Sequence, residues 1–257
     1  MTGKTKVQVL SQEEIASGIM SLRLSAPDAA ETARPGQFVS LYCSDGTKLL
    51  PRPISIYETD RTGGTLHLVY RIAGGGTKEF SGLSAGSTID MLGPLGQGYQ
   101  VIGKRHLLIG GGIGIPPLLA LCQSIPAGNQ ITAVLGYRDS AAFLSEAFRK
   151  AGASVLFASD DGSLGVKGTV MDVLKDTGLS ADMIYACGPI PMLAAVKAWA
   201  EQEDIRAQLS LEERMACGIG ACLGCVVKST HTDAHSMVRN KRVCKDGPVF
   251  FAEEIEL

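Results

Sequence analysis

The sequence predicts an α/β protein with an added β-barrel: an N-terminal antiparallel barrel, a central parallel α/β sheet and a short C-terminal segment. In the first part of the 257-residue chain, short β-prone runs are separated by Gly, Pro or Asp, which is typical of a small antiparallel barrel. In the second part strand-like and helix-like runs alternate, which indicates a parallel sheet covered on both faces. The last part has little periodicity but holds four of the seven cysteines. We therefore place the domains at residues 1–101, 102–211 and 212–257.

The predicted barrel has six strands. In chain order their sequences are VQVLS, MSLRLSA, QFVSLYC, PISIYE, TLHLVYRI and STIDML. A short helix is expected to start at Thr77, because its hydroxyl can accept a hydrogen bond from a free N–H group of the first helical turn.

The predicted α/β sheet has five strands and four helices. The strand sequences are HLLIG, ITAVLGY, SVLFAS, MIYAC and AQLSLE. The helices are expected at about residues 116–124, 140–150, 168–176 and 190–203. The last of these has apolar residues at helical spacing, namely Met192, Val196, Trp199 and Ala200.

Charge and composition exclude several partners and compartments. The net charge of −2 gives no general attraction to nucleic acid or to an anionic membrane. The longest apolar run, LLIGGGIGIPPLLALC, is too short and too interrupted by Gly and Pro for a membrane helix. The first residues lack the apolar core of a signal peptide. We therefore expect a cytoplasmic protein with reduced thiols, in which clustered cysteines indicate metal or redox chemistry.

The cysteine cluster is the most specific motif of the chain. Four residues separate Cys217 from Cys222, two separate Cys222 from Cys225, and eighteen separate Cys225 from Cys244. This spacing matches the plant-type ligand pattern for a [2Fe–2S] cluster. The glycines of ACGIGACLGC suit a loop that wraps a compact inorganic core and points its N–H groups at sulfur.

Zinc is the main alternative at these cysteines. A four-cysteine zinc site usually contains two C-x2-C knuckles, and this chain has only one. His231 and His235 form an H-x3-H pair, but His231 lies too close to Cys225 for a zinc finger, so we interpret both histidines as surface residues. A zinc-stapled interaction subunit without catalytic function therefore stays as an alternative.

Two Gly-rich turns indicate phosphate binding. HLLIGGGIGIPP combines a strand, a Gly-rich turn and a helix start, although Pro117 replaces the third glycine of the dinucleotide fingerprint. In LPRPISIY, Arg52 is held between two prolines, and YRIAGGGT supplies a second Gly-rich helix start. A plain tight turn and an ordinary surface arginine are the respective alternatives.

These motifs together resemble a known family. RPIS, GGGIG, CGP and the cysteine cluster, in this order, are similar to the ferredoxin-reductase superfamily. EERMACGIGACLGC and VCKDGPVF narrow the resemblance to the electron-transfer subunits of NAD-dependent dihydroorotate dehydrogenases, over essentially the full length. The resemblance implies FAD, one [2Fe–2S] cluster and NAD(H) as co-substrate. It also implies an FMN-containing catalytic partner subunit, a heterotetramer with two copies of each subunit, and a role in pyrimidine synthesis.

The resemblance also implies the site residues. Cys217, Cys222, Cys225 and Cys244 would hold the cluster. FAD would be held by Arg52, Pro53, Ile54, Ser55, Val69, Tyr70, Arg71, Gly76 and Thr77. NAD would contact Gly111, Gly112, Gly114, Cys187 and Gly188. Many superfamily members have a Tyr where this chain has Ile54, which leaves open what covers the flavin face.

The implied function is electron transfer between the partner and NAD. Electrons would run from dihydroorotate through the FMN of the partner, the cluster and FAD to NAD+, because a flavin exchanges electrons singly or in pairs. We expect no catalytic acid or base on this chain. A related reductase subunit that serves a hydrogenase, a sulfite reductase or a ferredoxin-linked complex is the alternative.

Asp160 and Asp161 either contact NAD ribose or form a solvated turn. The basic residues between Lys228 and Lys245 either face solvent or dock the partner.

Overall fold

Six antiparallel strands close into a barrel at the N-terminal end, as the sequence predicts. The structure is a computed structural model that describes residues 3–232 and 237–257. The strands are β1 (Thr5–Ala16), β2 (Ile19–Ser25), β3 (Phe38–Tyr42), β4 (Arg52–Asp60), β5 (Thr65–Arg71) and β6 (Thr88–Leu95). Their order around the barrel is β1-β2-β5-β4-β3-β6, and the interior is filled by apolar side chains such as Leu22, Val39, Leu41 and Leu68.

The barrel carries two short helices. Helix α1 (Pro27–Thr32), which was not predicted, starts with a proline in its first turn, where no N–H partner is lost. Helix α2 (Gly75–Phe80) starts two residues earlier than expected. Thr77 lies inside its first turn, and its Oγ1 accepts hydrogen bonds from the N–H groups of Ala73 and Gly74. The threonine therefore does cap this turn, but from within the helix.

A seven-stranded sheet forms the second layer of the molecule. Its strands are β7 (Arg105–Gly111), β8 (Gln130–Tyr137), β9 (Ser154–Ser159), β10 (Val166–Lys167), β11 (Met183–Cys187), β12 (Ala207–Ser210) and β15 (Val249–Phe251). Their order in the sheet is β10-β9-β8-β7-β11-β12-β15. All neighbours run parallel except β15, which pairs antiparallel with β12. The C-terminal segment thus contributes an edge strand to the sheet, which the sequence did not indicate.

Four helices accompany this sheet. They are α3 (Ile115–Ser124), α4 (Ser145–Lys150), α5 (Val170–Thr177) and α6 (Ile190–Gln202). The predicted helix over 140–150 is wrong in its first half, because Leu144 has a left-handed backbone with φ of 66° and the preceding residues form turns. Helix α6 buries Val196 and Ala200, as its apolar spacing predicts. Helix α3 packs against β4 of the barrel as well as against the sheet.

The cysteine-rich segment adds the two-stranded sheet of β13 (Val226–Lys228) and β14 (Asn240–Arg242). Short 3-10 helices lie at Gly112–Gly114 and Ala252–Glu254. Cys225, Val243, Cys244 and Phe250 belong to the same apolar core as the buried side chains of β11 and β12. The segment is therefore packed onto the sheet. Within the described residues, no helix has the length and apolar character needed to cross a membrane.

Candidate functional site

A cavity of about 570 Å³ opens where β4, β5 and the start of α2 face the residues that follow β12. Eight of the nine residues predicted for FAD line it: Arg52, Pro53, Ile54, Ser55, Val69, Tyr70, Arg71 and Thr77. The ninth, Gly76, lies directly under the Arg52 guanidinium, where an added Cβ would collide with that side chain. Two distant sequence motifs therefore meet in one cavity wall.

Aromatic side chains are present in this cavity although position 54 is Ile. Phe38 and Tyr70 both contribute to its wall. The Tyr70 hydroxyl donates a hydrogen bond of 3.0 Å to Gln12 Oε1, and burial raises the pKa of Tyr70, so this phenol stays neutral. Ile54 itself is nearly buried and gives the wall an aliphatic surface.

A second cavity, of about 420 Å³, lies at the carboxyl ends of the parallel strands. Gly111, Gly112, Gly114 and Gly188, all predicted for NAD, line it. Ligands of open α/β sheets bind at this edge, where the crossover connections leave a crevice.

The fifth residue predicted for NAD, Cys187, lies behind the wall of this second cavity. Its exposed fraction is 2%, and burial followed by the nearby Glu212 carboxylate raises the pKa of its thiol. Its backbone carbonyl lies so close to Gly114 that any Cβ there would collide. Cys187 therefore presents a neutral thiol and shapes the wall through its backbone.

The second cavity also contains Asp160, for which an NAD ribose contact and a solvated turn were the two expectations, and two side chains for which no role was expected. Arg138 follows β8, Asp160 follows β9, and Thr169 precedes α5. All three could have been predicted as ligand contacts from the sequence, because each stands just after a strand or just before a helix at the ligand-binding edge of the sheet. Asp161, in contrast, turns away and accepts hydrogen bonds from the N–H and hydroxyl of Ser163.

Three residues belong to the walls of both cavities: Arg71, Ile113 and Glu212. Burial raises the pKa of the Glu212 carboxyl, and the positive charge of Arg71 partly offsets this. Arg71 Nη2 lies 3.1 Å from the position that a Cβ on Gly112 would occupy. The two cavities therefore adjoin and share these three residues as part of their walls.

Three of the four cysteines predicted as ligands lie on one loop, residues 217–225, and Cys244 follows β14. Backbone N–H groups point at all four sulfur atoms. N–H groups of Ile219, Ala221 and Cys222 donate to Cys217 Sγ at 3.3–3.5 Å. Gly220, Gly224 and Cys244 donate to Cys244, Cys222 and Cys225 Sγ, respectively, at 3.1–3.4 Å. Gly218 and Gly220 have φ of 71° and 84°, which few other residues adopt without strain. Such convergent donors fit an anionic sulfur-rich group.

The thiols are grouped as two pairs. The N–H of Cys222 donates to Cys217 Sγ, and the N–H of Cys244 donates to Cys225 Sγ. Among residues 3–232 and 237–257, no three His, Cys, Asp or Glu side chains gather around a single ion position. The assignment of these four cysteines to an iron–sulfur centre therefore depends on their spacing and on the N–H groups that point at their sulfur atoms.

The acidity of the paired thiols differs with their surroundings. Burial acts to raise the pKa of Cys217, but the backbone donors of Ile219, Cys222 and Ala221 outweigh it and lower the pKa to about 6. Burial and the neighbouring Cys225 raise the pKa of Cys244 to about 12.

The basic residues of the segment are largely neutralised by acids of the same segment. Glu256 pairs with Lys228 and Arg239, Glu254 pairs with Lys241, and Asp246 pairs with Arg242. His231 is exposed, as predicted, and His235 lies outside the described residues. Surface ion pairs of this kind leave little net positive field for a partner.

Comparisons with known families match both ends of the chain. The sequence model of the iron–sulfur cluster binding domain of dihydroorotate dehydrogenase B matches residues 212–256. The model of the oxidoreductase FAD-binding domain matches residues 6–99. These two ranges coincide with the cysteine loop and with the barrel that forms the first cavity.

Full-length relatives decide the family. The chain is 44% identical over 259 residues to the dihydroorotate dehydrogenase B (NAD(+)) electron transfer subunit of Listeria monocytogenes serotype 4a, covering 99% of both chains. The corresponding subunit of Geobacillus thermodenitrificans is 41% identical, with 100% of both chains covered. The chain belongs to the dihydroorotate dehydrogenase B electron transfer subunit family. As a member of this family it is a flavin and iron–sulfur oxidoreductase subunit, and its cofactors are FAD and [2Fe–2S].

Solved structures confirm the fold that this family membership implies. A chain from the structure of an NADH-dependent reduced ferredoxin–NADP oxidoreductase, studied for flavin-based electron bifurcation, superimposes with a TM-score of 0.86 at 30% identity. It covers 100% of this chain and 91% of its own length. Flavohemoglobin from Malassezia yamatoensis has a TM-score of 0.65 at 18% identity over 79% of this chain and 57% of its own, which shows the fold alone.

The residues in place fit the cofactors of the family. The first cavity offers Arg52 and Thr77 near the Gly-rich start of α2, together with apolar walls of Ile54 and Val69. That combination suits a ligand with a phosphate part and a flat apolar part. The cysteine loop and Cys244 together supply four sulfur atoms and six N–H donors, which suits an iron–sulfur centre.

Proposed function

We propose that this chain carries electrons between NAD(H) and the catalytic subunit of a dihydroorotate dehydrogenase B. FAD would occupy the first cavity, NAD(H) the second, and the cluster would be held by Cys217, Cys222, Cys225 and Cys244. We also propose the domain division at residues 1–101, 102–211 and 212–257 and a cytoplasmic location. The observation that carries the proposal is the wall of Arg71, Ile113 and Glu212, which belongs to both cavities.

The cofactors supply the redox chemistry, since FAD exchanges electrons both in pairs with NAD(H) and singly with an iron–sulfur centre. The protein binds the cofactors, orients them and shields them from solvent. Arg52 contributes a fixed positive charge for a phosphate, because its guanidinium packs on Gly76 at the start of α2. The Gly-rich turn after β7 lets a dinucleotide approach the backbone closely. The neutral thiol of Cys187 behind the wall adds no charge near the ring that would carry the hydride.

The loop of residues 217–225, called the cluster loop below, connects the first cavity to the surface. Met215 lines the FAD cavity, and Cys217 follows two residues later. Cys225 and Cys244 face the apolar core with exposed fractions of 2% each, whereas Cys222 is exposed. The loop therefore has an inner half near the flavin site and an outer half that a partner can reach.

The outer half of the cluster loop carries the surface that we propose contacts the catalytic subunit. Ile219, Leu223 and Val226 flank Cys222 with exposed fractions of 41%, 61% and 38%. Leu223 adopts φ of 59°, a left-handed backbone that costs free energy for Leu and that Gly or Asn would adopt more easily. A leucine in this conformation is consistent with a side chain that an apolar partner surface contacts. We propose that this partner contains FMN and that two copies of each subunit assemble.

A second candidate function is a reductase subunit for a ferredoxin-linked or similar complex. The oxidoreductase chain that is 30% identical over the full length of this chain favours it. The identity of 41–44% to the dihydroorotate dehydrogenase B subunits favours the first candidate.

Reconstitution separates the two candidates. The chain is mixed with a dihydroorotate dehydrogenase B catalytic subunit, and NAD+ reduction is followed by the absorbance of NADH on addition of dihydroorotate. The proposal predicts dihydroorotate-dependent NADH formation that requires both subunits. Tight assembly without such activity, together with rapid NADH-dependent reduction of ferredoxin, would instead support the second candidate.

A further inference from the structure

Ser40 carries a buried hydroxyl without a hydrogen-bond partner in the part of the chain that the structure describes. Its exposed fraction is 0%. Two other buried polar atoms also lack a partner there, His106 Nε2 and Asn129 Oδ1, but neither residue lines either cavity. Buried hydroxyls are nearly always paired in native proteins, so the orphaned group at Ser40 needs an explanation.

The position of Ser40 in β3 directs its side chain out of the barrel. Its neighbours Val39 and Leu41 belong to the barrel core, and side chains alternate along a strand. Phe38, on the same outward face, lines the FAD cavity. Ser40 also pairs with Pro53 of β4, inside the motif predicted for FAD. The hydroxyl therefore lies on the barrel surface beside the flavin site.

The cluster loop covers this surface. Ser40 Oγ lies 2.9 Å from the position that a Cβ on Gly218 would occupy, and Leu95 Cδ1 lies 3.4 Å from that position. Gly218 directly follows the proposed ligand Cys217 and has φ of 71°. Because residue 218 has no side chain, the hydroxyl can lie against the backbone of Gly218, the neighbour of Cys217.

We propose that the Ser40 hydroxyl donates a hydrogen bond to a sulfur atom of the iron–sulfur centre on its Cys217 side and thereby raises the reduction potential of the cluster. The reduced cluster carries one more negative charge than the oxidised one, so a donor aimed at sulfur stabilises the reduced form more. The six N–H donors described above all belong to the cysteine-rich segment. Ser40 would add a donor from the barrel, on the side that faces the flavin. This inference rests on the proposed cysteine ligands.

The test compares Ser40→Thr with Ser40→Val, because the two side chains have the same shape and differ in the hydroxyl. Iron and acid-labile sulfide are measured first, and the midpoint potential of the cluster is then obtained by an EPR-monitored redox titration of the purified protein. The proposal predicts a lower potential for Ser40→Val than for Ser40→Thr, with Ser40→Thr close to wild type. Equal potentials in the two variants would overturn it.

A second pair keeps the test decisive if the larger side chains prevent cluster assembly. Ser40→Ala is compared with Ser21→Ala, which removes another buried serine hydroxyl of the barrel that is bonded to His67. The proposal predicts a lower potential in Ser40→Ala and no change in Ser21→Ala. An unchanged potential in Ser40→Ala would overturn it. Wild-type protein without iron would instead contradict the proposed ligand set, so the two failures are distinguishable.

Discussion

The cluster loop and the nucleotide cavities are built in opposite ways. Three of the four proposed cluster ligands lie within residues 217–225, and N–H groups of this loop donate to the sulfur atoms of Cys217, Cys222 and the fourth ligand, Cys244. The FAD cavity instead draws its wall from residues between Phe38 and Pro248, and the NAD cavity from residues between Arg71 and Glu212. A short motif can therefore define the cluster site, whereas the flavin and nicotinamide sites exist only after barrel and sheet have packed together.

The largest effect should come from removing one cluster ligand. Cys222→Ser deletes an exposed thiolate donor, and we expect complete loss of the [2Fe–2S] centre and of electron exchange with the catalytic subunit. NADH oxidation with a dye acceptor should survive, since it needs only the two nucleotide cavities. Iron content and dye-linked activity are measured on the same preparation. Loss of dye reduction with FAD still bound would show that the two regions are not independent.

Removing the charge from the FAD cavity should have the next largest effect. Arg52→Ala is expected to weaken FAD binding by roughly 10- to 100-fold, the range for a lost hydrogen bond to a charged group. The iron content should stay unchanged. Flavin retained after gel filtration is compared with that of Arg61→Ala, which changes an exposed arginine in the β4–β5 turn. Equal flavin retention in both variants would count against the assignment of Arg52.

A steric change should damage the NAD cavity selectively. In Gly114→Ala the added methyl group meets the backbone of Cys187 and Gly188, so β11 and the turn after β7 must separate. We expect a loss of about 1–3 kcal/mol in the free energy of unfolding, as for other overpacked sites, and a raised KM for NADH. Gly46→Ala is the matched control, because nothing lies within 4 Å of its added Cβ. Indistinguishable stability and KM in the two variants would refute the close packing described at Gly114.

The smallest effect should come from the outer half of the cluster loop. Leu223→Asn keeps the left-handed backbone but removes the apolar side chain, so we expect unchanged or slightly higher stability of the isolated chain. The affinity for the catalytic subunit should fall about fivefold, which corresponds to about 1 kcal/mol. Leu49→Asn, at the most exposed large apolar residue of the barrel, is the control. Equal affinities in both variants would remove Leu223 from the proposed interface.

Features encoded by neighbouring residues were predictable from the sequence, and features that form only by tertiary packing were not. The cysteine spacing, the strands of the barrel and the Gly-rich turn after β7 were all predictable, because each is encoded by neighbouring residues. Glu212, Met215 and Pro248 were not recognised as cavity residues, since they reach the barrel only through tertiary packing. The pairing of β15 with β12 was missed for the same reason. The orphaned hydroxyl of Ser40 could not be recognised from sequence, because burial without a partner is a property of the packed structure.

An anaerobic titration of the purified chain with NADH tests the central claim most directly, namely that the two adjoining cavities and the cluster loop form one electron path. The FAD absorbance and the EPR signal of the reduced cluster are followed in FAD-loaded protein and in protein stripped of FAD. The account predicts that NADH reduces the cluster in the loaded protein and leaves it oxidised in the stripped protein. A cluster that stays oxidised in the loaded protein, or that is reduced equally well without FAD, would contradict the account.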